Sequence, residues 1–161
     1  MTARAPIALI DLAAQRRHLG TKIDRAVAKV IDHGGYILGP EVGEFERKLA
    51  AHCGCRHAIG CGNGTDAIAL AMLALGTKAR QAVLLPSFTF ASTAEVVAWL
   101  GAIPVMADVD ERTFNVTVAS LERALGTAKQ AGLEVVGVIA VDLFGQMDDY
   151  AAIHDFDKGA G

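Results

Sequence analysis

The sequence predicts an α/β fold, a mostly parallel sheet with helices on both faces, and a few observations carry that prediction. From Ile59 onward, short apolar stretches of strand length alternate with longer stretches of helical periodicity. Ala, Val, Leu and Ile supply most of the hydrophobic residues, which make up 52% of the 161, and this suits buried parallel strands covered by small-residue helices. The stretch Ile59-Gly60-Cys61-Gly62-Asn63-Gly64-Thr65-Asp66-Ala67 runs from a short apolar strand through a glycine turn straight into an apolar helix, Ala67 to Leu75.

The rest of the chain is organised around that turn. It brings free backbone N–H groups and a positive helix end to one spot, which is either a phosphate cradle or a tight connection. Glycines at 60, 62 and 64 let the backbone approach an anion closely, and Asn63 tolerates the left-handed conformation such turns often need. Between Cys61 and Arg80 the only basic residue is Lys78, so amides and the helix dipole would have to compensate a bound charge. Asp66 would point away from the ligand.

Taken in order, Leu12, Leu19, Ile23, Ala26, Val27, Val30 and Ile31 recur at helical steps and predict an amphipathic helix closed by His33-Gly34-Gly35. Tyr36-Ile37-Leu38-Gly39-Pro40 is an apolar loop that either packs on a neighbour or lines a pocket. Pro40 opens the next helix as its first residue, and Val42, Phe45 and Leu49 form that helix's expected buried stripe, ending at Gly54. His57 to Cys61 is the first expected strand. Gln81 to Leu85 is the second, stopped by Pro86, and the segment from Ser87 leads into a helix ending at Leu100-Gly101. Ile103 to Ala107 is the third strand, and Thr117 caps a helix to about Leu125. Glu134 to Val141 is the longest apolar strand, followed by a loop from Asp142 to Asp148 and a helix from Asp149 to Phe156.

In such sheets ligands sit outside the carboxyl ends of the strands. Four segments occupy those positions: Gly62 to Asp66, Pro86 to Phe90, Asp108 to Asp110, and Asp142 to Gln146. The second sets Phe88 and Phe90 beside hydroxyls, either to stack on a flat cofactor or to anchor the following helix in the core.

A net charge of −3 without a basic stripe argues against nucleic acid as a partner. The run Ile7 to Ile10 is far shorter than a signal-peptide core, and no later run approaches a membrane span, which predicts a cytoplasmic protein. Three cysteines fit a reducing compartment, and the Cys53-x-Cys55 spacing is poor for tetrahedral zinc, so no metal is expected.

The motifs Asp11-Leu12-x-x-Gln15, Gly35 to Val42 with Phe45-Glu46, Gly62 to Ala67, Pro86 to Thr93, Gly101-Ala102-x-Pro104-Val105 with Asp108-Val109-Asp110, and Asp142-Leu143-Phe144-Gly145 resemble, in order and spacing, the DegT/DnrJ/StrS family of pyridoxal-phosphate-dependent sugar aminotransferases. The match runs from Ala8 to Phe156. It implies the N-terminal part of the large domain of a fold type I enzyme that moves an amino group, commonly from glutamate, onto a nucleotide-linked keto-sugar in amino-sugar, cell-surface polysaccharide or antibiotic biosynthesis. It also implies a homodimer. By resemblance, Gly64, Thr65 and Asp66 bind the cofactor phosphate, Phe90 stacks on the pyridine ring, and Tyr36, Leu38, Gly39 and Pro40 form a substrate-side loop.

The departures from the family carry equal weight. The family's Schiff-base lysine and the acid that pairs with the pyridine nitrogen lie after the motif matching Asp142 to Gly145, and none of the lysines at 22, 29, 48, 78, 129 and 158 falls in a matching motif. Asp142 stands where many relatives have His. The expected organisation is therefore an N-terminal helical segment with the substrate-side loop (1–56), a partial cofactor-binding domain (57–156) and a truncated end (157–161), inactive alone and marginally folded or aggregation-prone. A non-catalytic chain with weak or no cofactor binding is the competing reading. The glycine turn also resembles that of S-adenosylmethionine methyltransferases, but the acids such loops need, like those of dinucleotide sites, are missing from the strand before Gly62 and from the strand ending at Pro86.

Overall fold

The computed structural model describes residues 9–160, so Ile7, Ala8 and Gly161 lie outside the described residues. Contacts divide the chain into two units, one up to Gly60 and one from Cys61.

The first unit is helical: α1 (Leu12–Leu19), α2 (Lys22–His33) and α3 (Pro40–Cys53). The single helix expected across Leu12 to Ile31 is broken in two. Gly20 takes φ 57°, closing α1 through its N–H to the Arg16 carbonyl, and the Arg16 guanidinium then reaches the Asp24 carboxylate at 2.6 Å across the break. The ends predicted from local chemistry hold: Gly34 and Gly54 close α2 and α3 in the left-handed conformation, and Pro40 is the first residue of α3. The stripe of Val42, Phe45 and Leu49 was expected to be buried, yet Phe45 and Leu49 are exposed, and so are Ile23, Val27 and Ile31 of α2. Ala50 is the one buried residue of the three helices, because short helices without a second layer cannot cover one another's apolar faces.

The second unit is the α/β part: α4 (Gly64–Ala74), β1 (Ala82–Pro86), α5 (Ser92–Trp99), β2 (Ile103–Ala107), α6 (Val118–Gln130), β3 (Val135–Val138), a 3-10 turn at Leu143–Gly145, and α7 (Tyr150–Ala160). The strands form a three-stranded parallel sheet in the order β2-β1-β3. Because the connection from β1 to β2 runs one way across the sheet and that from β2 to β3 runs back past β1, right-handed crossovers put α5 and α6 on opposite faces. The packing follows that rule. Val83 and Leu85 of β1 pack with Met72, Val96, Val97 and Ala102 on one face. Leu84 packs with Ala107, Val116, Leu121, Ala124 and Ile153 on the other. Every residue of β1 is buried, so an uninterrupted apolar strand needs no polar alternation.

Several expected boundaries move. His57 to Cys61, expected as the first strand, is irregular, and Ile59 is 84% exposed; Gly60 N–H finds the Glu46 carboxylate at 2.7 Å instead of a neighbouring strand. Helix α6 runs past the expected end near Leu125 to Gln130, since Gly126 stays inside it and the chain turns only at Gly132, with φ 69°. Its start is as read: Thr117 and Ser120 exchange side-chain and backbone hydrogen bonds in a capping box. β3 is shorter than Glu134 to Val141 because β1 is its only partner among the described residues, pairing is irregular between Ala82 and Val83, and after the Ile139 N–H to Leu84 carbonyl bond the chain curls away. Residues 157–160 of the expected truncated end continue α7 as its last turn.

Candidate functional site

The switch in strand order beside β1 opens a crevice at the carboxyl ends of β1 and β3, where ligands of such sheets bind. A hollow of about 570 Å³ lies there. Gly64, Thr65 and Ile68 of α4 line it, with Thr89, Phe90, Ser92 and Thr93 after β1, Ile139 to Asp142 after β3, and Tyr150 at the start of α7.

At the α4 end, Asn63 caps the helix. Its side-chain oxygen accepts from Asp66 N–H at 2.9 Å, and its carbonyl accepts from Ala67 N–H at 3.1 Å. Asn63 does this from extended backbone, φ −168° and ψ 178°, rather than the left-handed conformation expected of it. The capping leaves the N–H groups of Gly64 and Thr65 without a hydrogen-bond partner among the described residues, at the positive end of α4. A Cβ added at Gly64 would meet nothing within 4 Å, whereas one at Gly62 would press on the tip of the Asp66 carboxylate, which would have to swing away from its place in the turn.

Asp66 does not line the hollow. Its carboxylate accepts from the Asn63 side-chain amide at 3.1 Å and its N–H is used in the cap, which makes it part of the frame behind Gly64 and Thr65. The two aromatics after β1 separate. Phe90 is 77% exposed and lines the hollow. Phe88 instead meets Phe114 in a tilted pair at 5.7 Å, and Phe114 meets Phe144 edge-on at 5.6 Å; both Phe88 and Phe90 are exposed, so neither is the core anchor allowed by spacing.

Of the strand-end segments read from sequence, those at Gly62 to Asp66, Pro86 to Phe90 and Asp142 to Gln146 contribute to this hollow; Asp108 to Asp110 does not. Asp110 makes a turn, accepting from the N–H groups of Arg112 and Thr113 at 2.9 and 3.0 Å, and these bonds hold its carboxyl below the usual range. Sequence reasoning missed Tyr150, whose hydroxyl donates to Asp142 at 2.9 Å, and Thr93, whose hydroxyl lies 3.3 Å from that of Thr89. It also missed Asp148, a buried carboxylate that accepts from Val141 N–H at 3.1 Å and that burial pushes above the usual range. Thr89 and Thr93 sit four residues apart around the start of α5, a spacing that could have flagged them; Tyr150 meets Asp142 only through the loop between them.

In the first unit, the loop residues Tyr36, Leu38 and Pro40 are exposed, so packing against a neighbour within the unit is not what shapes the loop. Leu38 takes φ 49°, and a Cβ at Gly39 would collide with the Gly35 carbonyl, which makes glycine obligatory there. Next to it, Glu41 accepts from Lys29 at 2.9 Å and meets His33 at 3.2 Å; the Lys29 bond, first, and the His33 bond hold its carboxyl at about 2.

The fit to pyridoxal phosphate can be judged from these groups. Two unpaired N–H donors at a helix start suit a phosphate, and an exposed ring over an open hollow suits a flat heterocycle. No Lys, Arg or His lines the hollow, so it offers no covalent anchor of its own. Among the described residues no helix is long and apolar enough to cross a membrane.

Comparison with known proteins places the chain in a family. Residues 17–161 match the DegT/DnrJ/EryC1/StrS aminotransferase family. The chain is 43% identical over 148 residues to the UDP-2-acetamido-2-deoxy-3-oxo-D-glucuronate aminotransferase of Pseudomonas aeruginosa, covering 92% of this chain and 40% of that protein. A crystal structure of a DegT DnrJ EryC1 StrS aminotransferase from Brucella abortus superimposes with a TM-score of 0.92 at 44% identity, covering 97% of this chain and 42% of the other. NtdA from Bacillus subtilis, crystallised with bound cofactor PMP, superimposes with a TM-score of 0.76 at 26% identity, covering 85% and 30%. The chain thus spans about 40% of the length of the curated relatives it matches.

Proposed function

The chain belongs to the DegT/DnrJ/EryC1/StrS aminotransferase family, and we propose that its second unit forms the phosphate- and ring-binding side of the pyridoxal-phosphate site of a nucleotide-sugar aminotransferase. The observation that carries this is the single hollow joining Gly64 and Thr65 at a helix start, Phe90 after β1 and Asp142 after β3. The N–H groups of Gly64 and Thr65, with the Thr65 hydroxyl, take the phosphate; Asp66 and Asn63 hold that turn in shape. Phe90 covers one face of the ring and excludes water from it. When bound, the cofactor supplies an electron sink for the carbon that carries the amino group.

The acceptor in this reading is a nucleotide-linked keto-sugar and the donor an amino acid such as glutamate. The resemblance to a relative named for a UDP-linked 3-oxo sugar favours a UDP-linked 3-keto acceptor. Tyr36, Leu38, Gly39 and Pro40 form the substrate-side loop, which explains why the loop's own apolar residues stay exposed. The active species is a homodimer, and exposed free thiols at Cys53, Cys55 and Cys61 suit the reducing cytoplasm.

Within the described second unit, Lys78, Lys129 and Lys158 all lie outside the hollow, so in this reading the second unit holds the cofactor without linking to it. Titration of the 161-residue chain with pyridoxal phosphate, followed by borohydride and intact-mass measurement, tests this. Reversible binding without a mass increase is expected. Absence of binding would overturn the cradle, and a stable adduct on one defined lysine would overturn the noncovalent role.

A further inference from the structure

The hollow has opposite electrical character at its two boundaries. The unpaired N–H groups of Gly64 and Thr65 mark the positive end of α4. After β3, Asp142 places a carboxylate on the same hollow. One oxygen, Oδ1, accepts from the Asp148 N–H and from the Tyr150 hydroxyl, each at 2.9 Å. Among the described residues no donor meets the other oxygen, Oδ2. Two donors from the following segment therefore fix the carboxylate by one oxygen and leave the second available.

No cationic side chain on the hollow pairs with that carboxylate, which is exposed to solvent. Its lining contains no Lys, Arg or His, and Tyr150 is its other titratable group. Burial, and then the bond to Asp142, push the Tyr150 phenol above its ordinary range, so it keeps its proton and remains the donor that orients Asp142. The hydroxyls of Thr89 and Thr93 face each other at 3.3 Å, and Ile68, Ile139, Ala140 and Val141 are apolar. A ligand seated between a positive helix end and an acceptor-only group gains most when it is itself dipolar.

We propose that Asp142 is a positioning and selectivity residue that accepts, through Oδ2, a hydrogen bond from a protonated amino group of the ligand, so that the hollow prefers the aminated form of the cofactor over the same ring without an ammonium. This rests on the cofactor reading given above. Asp142, with Tyr150 behind it, is thereby assigned a task distinct from the acid that pairs with the ring nitrogen in the family.

The test is a binding ratio. The wild-type chain, Asp142→Asn and Asp142→Glu are titrated with pyridoxamine 5′-phosphate and, separately, with pyridoxine 5′-phosphate, which carries a neutral hydroxymethyl group in place of the aminomethyl group. Wild type should favour the amine by about tenfold or more, the factor carried by one charge-assisted hydrogen bond. Asp142→Asn should bring the ratio close to one, and Asp142→Glu should restore part of it, a rescue that a purely structural role would not produce. A wild-type ratio near one, or the same ratio in wild type and Asp142→Asn, would overturn the proposal while leaving the cradle standing. Failure of wild type to bind either compound would overturn both. If Asp142→Asn does not fold, the wild-type ratio and the Asp142→Glu ratio still decide.

Discussion

Replacing Gly64 by proline separates the stability of α4 from its capacity to hold an anion. Gly64 is the first residue of the helix, its N–H has no partner among the described residues, and a Cβ there meets nothing within 4 Å. Proline is favoured at that position because its fixed φ suits the helix and the missing N–H would be unpaired anyway. The preceding residue must be extended, and Asn63, at ψ 178°, already is. Gly64→Pro should therefore leave stability unchanged or raise it by about 0.4–1 kcal/mol through the unfolded chain. A hydrogen bond to a charged phosphate contributes about 1.5–3 kcal/mol, so losing that donor should weaken pyridoxal phosphate binding about ten- to hundredfold. Gly64→Ala keeps the N–H and should lose less. The assays are urea unfolding and spectroscopic titration with the cofactor, with inorganic phosphate as competitor. A Gly64→Pro chain that melts like wild type and binds with unchanged affinity would refute the assignment of this N–H to the phosphate.

Phe90→Ala removes a ring that is 77% exposed; stability should change by no more than about 0.5 kcal/mol, while cofactor affinity falls about two- to tenfold with the lost stacking, measured by the same titration. Leu84→Ala acts the other way, because Leu84 is fully buried at the centre of the sheet: urea unfolding should show a loss of about 2–5 kcal/mol. For Glu41, the folded carboxyl is held at about 2, below an unfolded value of about 4.3. A depressed folded pKa stabilises at pH above the unfolded value and stops doing so as pH falls through the folded one. The stability difference between wild type and Glu41→Gln should thus be constant near neutrality and shrink between about pH 4 and 2, as read by thermal unfolding across pH; a difference that grows on acidification would contradict the Lys29–Glu41 assignment.

The parts of the fold legible in the sequence are those decided within one turn of chain. Pro40 at a helix start, Gly34 and Gly54 at helix ends, and the Thr117 cap act through their own φ/ψ or a neighbour's N–H, so their residue types announce them. β2 was readable to the residue, bounded as it is by Gly101 and by Asp108. The break at Gly20 escaped because the apolar spacing runs on through it, and only the backbone conformation interrupts the helix.

For the site, sequence alone marked four strand-end segments, Gly62 to Asp66, Pro86 to Phe90, Asp108 to Asp110 and Asp142 to Gln146, as places where a ligand would sit, since parallel sheets bind ligands at the carboxyl ends of their strands. Tertiary structure decided which of them meet. It brought Gly64, Thr65, Phe90 and Asp142 to one hollow, sent Phe88 to Phe114, left Asp66 to frame the turn, and joined Tyr150 to Asp142. Strand order, burial and pairing across distant segments depend on which surfaces find each other in the folded chain, and no local residue pattern encodes that choice.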